Sequence, residues 1–145
     1  MIAYADTSFL ASLYGEDAGS LHAIAEYEAA KPTLVVTAVG EFEFLNAFES
    51  RVFRKESSPA EVDAYFRAFG DDIRAGLLTR KGVPVNAYER AMLLARHHTR
   101  QLGARSMDIL HVAIALEVGA HVFFTFDRVQ RRVARAAGLT VRPVR

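Results

Sequence analysis

The sequence predicts an α/β domain, a three-layer α/β/α sandwich around a mostly parallel sheet of about five strands. The chain has 145 residues, of which 51% are hydrophobic, and this length and composition suit a single domain, 1–145, with one core. Short apolar runs alternate with longer segments of helical periodicity. Strands separated by helices imply right-handed crossovers, which cover both faces of a parallel sheet with helices.

Short apolar or β-branched runs, bounded by polar or turn-forming residues, are the predicted strands. They cover residues 2–5, 33–37, 77–80, 121–125 and 139–144. Segments with helical periodicity lie between them and cover residues 9–14, 21–30, 39–54, 59–73, 86–102, 107–118 and 128–137. Pro59 suits the first turn of its helix, with Ser57 or Ser58 as the cap. A glycine follows each of the last three helices, as expected at a helix C-terminus.

Composition excludes several classes of protein. The chain has no cysteine, so it has neither disulfides nor thiolate metal sites. The N-terminus carries Asp6 where a secretory signal needs basic residues. The most apolar stretch, residues 109–126, is interrupted by Glu117 and two histidines, which argues against a membrane span. We therefore expect a cytoplasmic protein with no membrane association.

The net charge of +1 conceals a strong asymmetry between the two halves of the chain. Residues 1–72 contain 13 acidic and 5 basic residues, whereas residues 73–145 contain 4 acidic and 13 basic ones. The basic residues are 15 Arg and 3 Lys, and Arg is the better bidentate partner for phosphate. This asymmetry points towards nucleic acid, although the two halves can also neutralise each other in the folded protein.

Acidic residues occur where predicted strands end and helices begin. Asp6 and Asp127 directly follow strands, Asp108 lies in the first turn of a helix, and a fourth acid comes from Glu41 or Glu43. Ligands bind beyond the carboxyl ends of the strands in open parallel sheets. If these acids converge, they need a cation between them, and carboxylates without cysteine favour Mg²⁺ or Mn²⁺. Such a site can hydrolyse a phosphodiester.

Glu41 and Glu43 point in different directions because two residues along a helix rotate by about 200°. Glu43 shares its face with Asn46 and Ser50, which suits the lining of a cleft. Glu41 lies beside the apolar stripe that includes Phe44. Glu43 is therefore the preferred ligand, and Glu41 remains the second choice.

Each acid also has a simpler explanation. Asp at a helix N-cap or in the first turn satisfies free N–H groups and complements the helix dipole. This alternative remains open for Asp6 and Asp127. Around the carboxylates we expect supporting roles for Thr125, His111 and Ser8. For His111, packing or support is favoured over metal ligation because hard ions prefer oxygen.

The arginines after Asp127 are the predicted RNA-binding residues. Arg128, Arg131 and Arg132 recur at helical spacing, so they could hold phosphate beside the carboxylates. The alternative is an ordinary charged, solvated helix face. The apolar helices at residues 42–53 and 62–69 are candidates for contact with a second copy or another protein.

Together, four segments resemble the PIN-domain ribonucleases, and within them the VapC-type toxins of bacterial toxin–antitoxin pairs. They are ADTSFL with Asp6, EFEFLNAF with Glu43, RSMDILHVAIA with Asp108, and FFTFDRVQRRVARAAGL with Thr125 and Asp127. The resemblance implies a PIN-like fold and a metal-dependent endoribonuclease acting on structured RNA. It also implies a homodimer inhibited by a cognate antitoxin, with Asp6, Glu43, Asp108 and Asp127 as the acidic metal site. The alternative is a catalytically silent PIN-like module that binds RNA or a protein.

Overall fold

The computed structural model describes residues 1–144, which form five strands and seven helices. The strands are β1 (Ile2–Ala5), β2 (Thr33–Val36), β3 (Leu78–Arg80), β4 (Val122–Phe124) and β5 (Thr140–Arg142). The helices are α1 (Thr7–Tyr14), α2 (Ser20–Ala30), α3 (Ala38–Phe53), α4 (Pro59–Arg74), α5 (Ala87–Leu102), α6 (Ser106–Glu117) and α7 (Arg128–Ala136). Every predicted strand and helix is present.

All strand pairs in residues 1–144 are parallel, in the order β3-β2-β1-β4-β5. β1 is the central strand. β2 and β3 follow on one side of it, and β4 and β5 lie on the other side. The predicted α/β/α sandwich is therefore confirmed. The strand order reverses between β1 and β4, which makes their carboxyl ends the topological switch point of the sheet.

Alternate side chains along the strands face two separate apolar layers, as the period of a β-strand requires. Ala3 and Ala5 of β1 pack in one core with α1, α2, α3 and α4, whereas Tyr4 packs in the other with α5, α6 and α7. Val62 and Phe69 of α4 lie fully inside the first core. Tyr65 and Phe66 pack against the same core, so the large apolar side chains of residues 62–69 contact the protein's own interior, and the exposed side of this segment carries Asp63 and Arg67.

Helix and strand ends differ from the predicted limits where polar contacts or proline intervene. α1 begins at Thr7, two residues earlier than predicted, because the side chain of Asp6 caps it. β5 ends at Arg142, before Pro143, which has no N–H to donate to a sheet. Ser58 caps α4 and forms a capping box with Glu61. In residues 1–144, no helix has both the length and the apolar character to cross a membrane.

Candidate active site

The carboxyl ends of β1 and β4 lie side by side at the middle of the sheet. Ala5 pairs with Phe124, and the N–H of Asp6 donates to the Phe124 carbonyl at 3.1 Å. Asp6 follows β1, and Asp127 lies just beyond β4 at the start of α7. The predicted strand-end acids therefore lie where this fold favours ligand binding.

A cleft of about 660 Å³ opens at these strand ends. Glu43 from α3, Asp108 from α6 and Asp127 line it together. Asp6 is fully buried behind them, but the neighbouring residues Thr7 and Ser8 also line the cleft. The structure thus brings the sequence-predicted acids to one region, with Asp6 held inside the protein.

Asp6 is embedded in hydrogen bonds. Its Oδ1 accepts from the Ser8 hydroxyl at 2.7 Å and from the Phe9 N–H at 3.0 Å. Its Oδ2 accepts from the Thr125 hydroxyl at 2.5 Å. Burial raises the pKa of Asp6 above its ordinary value, while the bonds from Thr125, Ser8 and Phe9 act in the opposite direction. The predicted supporting residues Ser8 and Thr125 therefore contact Asp6 directly.

Glu43 is held from inside the protein by a chain of polar side chains. Its Oε1 accepts from the Thr7 hydroxyl and lies 2.8 Å from Nε2 of the fully buried His111. The other ring nitrogen of His111, Nδ1, lies 2.7 Å from the hydroxyl of Tyr4. A neutral imidazole here accepts from Tyr4 and donates to Glu43. Desolvation opposes ionisation of Glu43, but the bonds from His111 and Thr7 outweigh it and lower the pKa of Glu43.

Asp108 is paired with a cation. Its Oδ2 accepts from the N–H of Arg105 and from the guanidinium Nε of the same residue, each at 3.2 Å. The hydrogen bond and charge of Asp108 raise the pKa of Arg105, and the charges of Asp127 and Glu43 act in the same direction. The guanidinium of Arg105 therefore supplies a positive charge beside Asp108 at the wall of the cleft.

Asp127 caps α7 and is connected to Asp6 through one hydroxyl group. Its Oδ1 accepts from the N–H of Gln130 at 2.8 Å, and its own N–H donates to the Thr125 hydroxyl at 2.9 Å. That same hydroxyl donates to Asp6. The capping interpretation is therefore confirmed for both Asp6 and Asp127, but at Asp127 it uses one carboxylate oxygen.

The cleft carboxylates share a pattern that bears on metal binding. Protein donors reach Oε1 of Glu43, Oδ2 of Asp108 and Oδ1 of Asp127. Within residues 1–144, the second oxygen of each carboxylate is left without a protein donor. This all-oxygen set suits a hard divalent cation chemically. In the same part of the chain, however, no three His, Asp or Glu side chains are already gathered closely enough to hold one ion together.

Glu41, the second choice for the helix ligand, lies away from the cleft. Its carboxylate accepts from the guanidinium of Arg80 at 2.6 and 2.7 Å. Glu43, in contrast, lines the cleft beside Ser50 and Ala47, as the helical phase of α3 predicts. The structure therefore places Glu43 with the other acids and Glu41 on the surface beside β3.

The predicted RNA-binding arginines differ in exposure and in hydrogen bonding. Arg128 and Arg132 are exposed on α7. Arg131 is partly buried, and its guanidinium donates to the carbonyls of Pro143 and Thr125. Burial lowers the pKa of Arg131. Because its donors are directed to the backbone, Arg131 ties α7 to the C-terminal segment instead of facing solvent freely.

Sequence reasoning missed the arginines that line the cleft itself. Arg51 of α3, Arg54 directly after it and Arg105 before α6 all contribute to its wall. Arg51 is also paired with Asp17 at 3.0 Å. The signal was present in the helical spacing: residues 43, 47, 50, 51 and 54 fall on one side of α3. The same spacing relates Arg105 to Asp108.

Comparison with known proteins identifies the family. The PIN domain family model matches residues 3–136. No curated protein sequence is significantly similar to the chain. Among solved structures, VapC20 of Mycobacterium tuberculosis, a sarcin-ricin loop cleaving toxin, has a TM-score of 0.67 and 22% identity, covering 95% of this chain and 96% of that one.

Two further structures have similar folds. VapBC2 of Rickettsia felis, bound to a promoter DNA fragment, has a TM-score of 0.66 and 14% identity, covering 97% of both chains. PAE2754 of Pyrobaculum aerophilum has a TM-score of 0.64 and 15% identity, covering 97% of this chain and 83% of that one. At these identities the likeness establishes the fold alone. The family match extends over nearly the whole chain and includes every acid of the cleft, and the chain therefore belongs to the PIN domain family.

Proposed function

We propose that this protein is an Mg²⁺- or Mn²⁺-dependent endoribonuclease that acts as the toxin of a bacterial toxin–antitoxin pair. One observation carries the proposal. Glu43, Asp108 and Asp127 line one cleft, and each directs one oxygen to the protein while the other oxygen lacks a protein donor within residues 1–144. Oxygen donors at a topological switch point suit a metal-dependent hydrolase.

Glu43, Asp108 and Asp127 would hold the metal, with Asp6 contributing from its buried position. The bound metal would activate water and offset the negative charge of the phosphodiester. His111 and Thr7 orient the carboxylate of Glu43 and favour its ionised form. Second-layer contacts of this kind fix ligand geometry and commonly change activity by about 10- to 100-fold when removed.

RNA is the proposed substrate because the carboxylates are flanked by arginines. Arg51, Arg54 and Arg105 line the cleft, and exposed Arg128 and Arg132 follow on α7. Guanidinium groups bind phosphate bidentately and attract a polyanionic strand. The similar fold of VapC20, which cleaves the sarcin-ricin loop, supports a structured RNA as the target class.

A cognate antitoxin is the proposed inhibitor. The VapBC2 structure from Rickettsia felis, which has a similar fold, supports this partner. A cytoplasmic location follows from the same proposal, because an RNA-cleaving toxin meets its substrate and its inhibitor there. Co-purification with the product of a neighbouring short reading frame, and loss of RNA cleavage in that complex, would support the assignment.

Self-association into a homodimer is also proposed, through an apolar surface on α3, α5 and α6. Phe42 protrudes with 73% of its surface exposed and lines a pocket with Tyr88, which is itself exposed. Tyr88 also lines a neighbouring groove. Within residues 1–144, the lining of this groove is uncharged and includes Ala91 and Ala95. A protruding ring beside an apolar groove is self-complementary, so a second copy related by a two-fold axis can fill it.

The test of the enzymatic proposal is RNA cleavage with a matched pair of variants. Wild type should cut RNA with Mg²⁺ or Mn²⁺ and lose activity in EDTA. Asp127→Asn should abolish cleavage while keeping the fold, because Asn caps a helix as well as Asp. Asp63→Asn, an exposed acid on α4, is the control and should cleave normally. Full activity of Asp127→Asn would contradict the proposed site.

A second candidate function is a catalytically silent RNA-binding module. Arg105 already engages Asp108, and residues 1–144 hold no gathered set of three potential metal ligands. This candidate predicts salt-sensitive RNA binding without turnover. Calorimetric titration with Mn²⁺ separates the two: stoichiometric binding that Asp127→Asn removes supports the nuclease, and no binding supports the module.

A further inference from the structure

Gln130 is a buried polar residue in the wall of the cleft. It lies in the first turn of α7, only 5% exposed, and lines the cleft with Asp127 and Asp108. Its backbone N–H donates to Asp127 at 2.8 Å. Within residues 1–144, its side-chain Oε1 is buried without any hydrogen-bond partner. A buried polar atom without a partner needs an explanation, because folding normally satisfies such groups.

An external donor in the cleft would satisfy the carboxamide oxygen. The two ends of a carboxamide have nearly the same shape, so rotation about the last side-chain bond can exchange the oxygen and the amino group, and a hydroxyl, which both donates and accepts, can bond whichever of them faces the cleft. No protein donor within residues 1–144 holds the oxygen inward. A ligand that brings an O–H or N–H group to this wall would therefore gain a hydrogen bond that the free protein lacks.

The chemistry of the proposed substrate indicates which donor this is. The scissile phosphate would lie beside Asp108 and Asp127, so the donor must lie close to a phosphodiester. In RNA the donor nearest to a phosphate is the 2′-hydroxyl of the ribose on its 5′ side, because that phosphate is attached to the adjacent 3′ oxygen. Base amino groups lie farther away and differ among nucleotides. DNA has no 2′-hydroxyl, and this group is what allows a protein to distinguish RNA from DNA.

We propose that Gln130 binds the ribose 2′-hydroxyl beside the scissile phosphate and thereby contributes selectivity for RNA over DNA. This inference rests on the proposed function, since it requires a nucleic-acid strand in the cleft. It adds a specificity-determining residue to the carboxylates. The role of Gln130 is to recognise the sugar, and it is separate from metal binding.

The test compares binding of two single-stranded pools that differ in the sugar alone. Fluorescence anisotropy competition measures the affinity for random-sequence RNA and for the equivalent DNA, at low salt and with Ca²⁺ present. Wild type should prefer RNA, and Gln130→Met should lower the RNA-to-DNA affinity ratio by about fivefold, the value of one hydrogen bond. The affinity for RNA should decrease, and the affinity for DNA should stay nearly unchanged.

Ser50→Ala is the matched control. Ser50 lines the same cleft, but its hydroxyl already donates to the Asn46 carbonyl at 2.9 Å, so its removal should leave the ratio unchanged. Met has a length similar to Gln and removes an unpaired polar atom, so the variant should fold, as circular dichroism will verify. An unchanged ratio in folded Gln130→Met overturns this inference alone. Failure of wild type to bind either pool overturns the proposed RNA substrate and this inference with it.

Discussion

The Thr125 hydroxyl donates to Asp6 Oδ2 at 2.5 Å and accepts the N–H of Asp127 at 2.9 Å. One side chain therefore connects the acids that follow two neighbouring strands, β1 and β4. Thr125 and Asp6 are both fully buried, although they are separated by 119 residues in the sequence. The Thr125 hydroxyl thus links Asp6 to Asp127, beside a second link in which the Ser8 hydroxyl donates to Asp6 and accepts the N–H of Phe126.

Thr125→Val should weaken both stability and activity. Valine keeps the shape but leaves the buried Asp6 without one of its donors, which should cost about 1–3 kcal/mol of unfolding free energy. RNA cleavage should fall by about 10- to 100-fold, as for other supports of metal ligands. Urea denaturation and initial cleavage rates measure the two effects. The control is Thr140→Val on an exposed position of β5, and equal effects of both substitutions would contradict the assigned role.

The pH dependence of stability should reveal the raised pKa of Asp6. Burial raises this pKa, so the folded protein holds the proton more tightly than the unfolded chain. The resulting stabilisation is complete below the ordinary Asp pKa of about 3.9 and is lost as the pH rises through the folded value. Relative to Asp6→Asn, wild type should therefore gain unfolding free energy as the pH is lowered from about 8 to about 4. A flat difference across this range would contradict the prediction.

Glu43 should show the opposite dependence. Desolvation opposes the shift, but the bonds from His111 and Thr7 lower the pKa of Glu43, so its contribution to stability is present above the ordinary Glu pKa of about 4.3. That contribution is lost as the pH falls through the lower folded value. Relative to Glu43→Gln, wild type should lose unfolding free energy on acidification below about pH 4.3, measured by urea denaturation. A gain over that range would show that the His111 contact does not favour the ionised form.

Arg105→Gln should separate phosphate binding from metal binding. Removing one cleft cation should weaken RNA binding and reduce the slope of log K against log salt by about one. Mn²⁺ binding should become tighter, because Asp108 loses a competing guanidinium. Anisotropy at several salt concentrations and calorimetry measure these changes. The control is Arg90→Gln, which removes the ion pair of Arg90 with Glu117 at 2.9 Å, outside the cleft. This variant should change neither the salt dependence of RNA binding nor the affinity for Mn²⁺.

Phe42→Ser should convert a dimer into a monomer. Phe42 is the protruding ring of the apolar surface beside Tyr88, so its loss removes the group that would enter the groove of a second copy. Light scattering after size exclusion measures the mass. Phe53→Ser on the same helix is the control, since Phe53 is 89% exposed but lines neither the cleft nor this groove. Dissociation by both variants, or by neither, would contradict this surface.

The amino-acid sequence was sufficient to predict much of the fold and part of the candidate site. Strand and helix periods are local properties, so the elements and the parallel sheet could be derived without knowing any distant contact. The phase of α3 likewise separates Glu43 from Glu41. The position of acids after strands was informative because parallel strands share one carboxyl edge.

Long-range contacts decided the remaining features. His111 joins Tyr4, 107 residues away, to Glu43, and no local pattern specifies that pairing. Arg131 looked like a surface phosphate ligand, but folding directs its guanidinium to backbone carbonyls. The sequence by itself thus determined which residues stand at the sheet edge. Only the tertiary structure decided which of their polar atoms are already paired, because pairing depends on donors brought from distant segments when the chain packs.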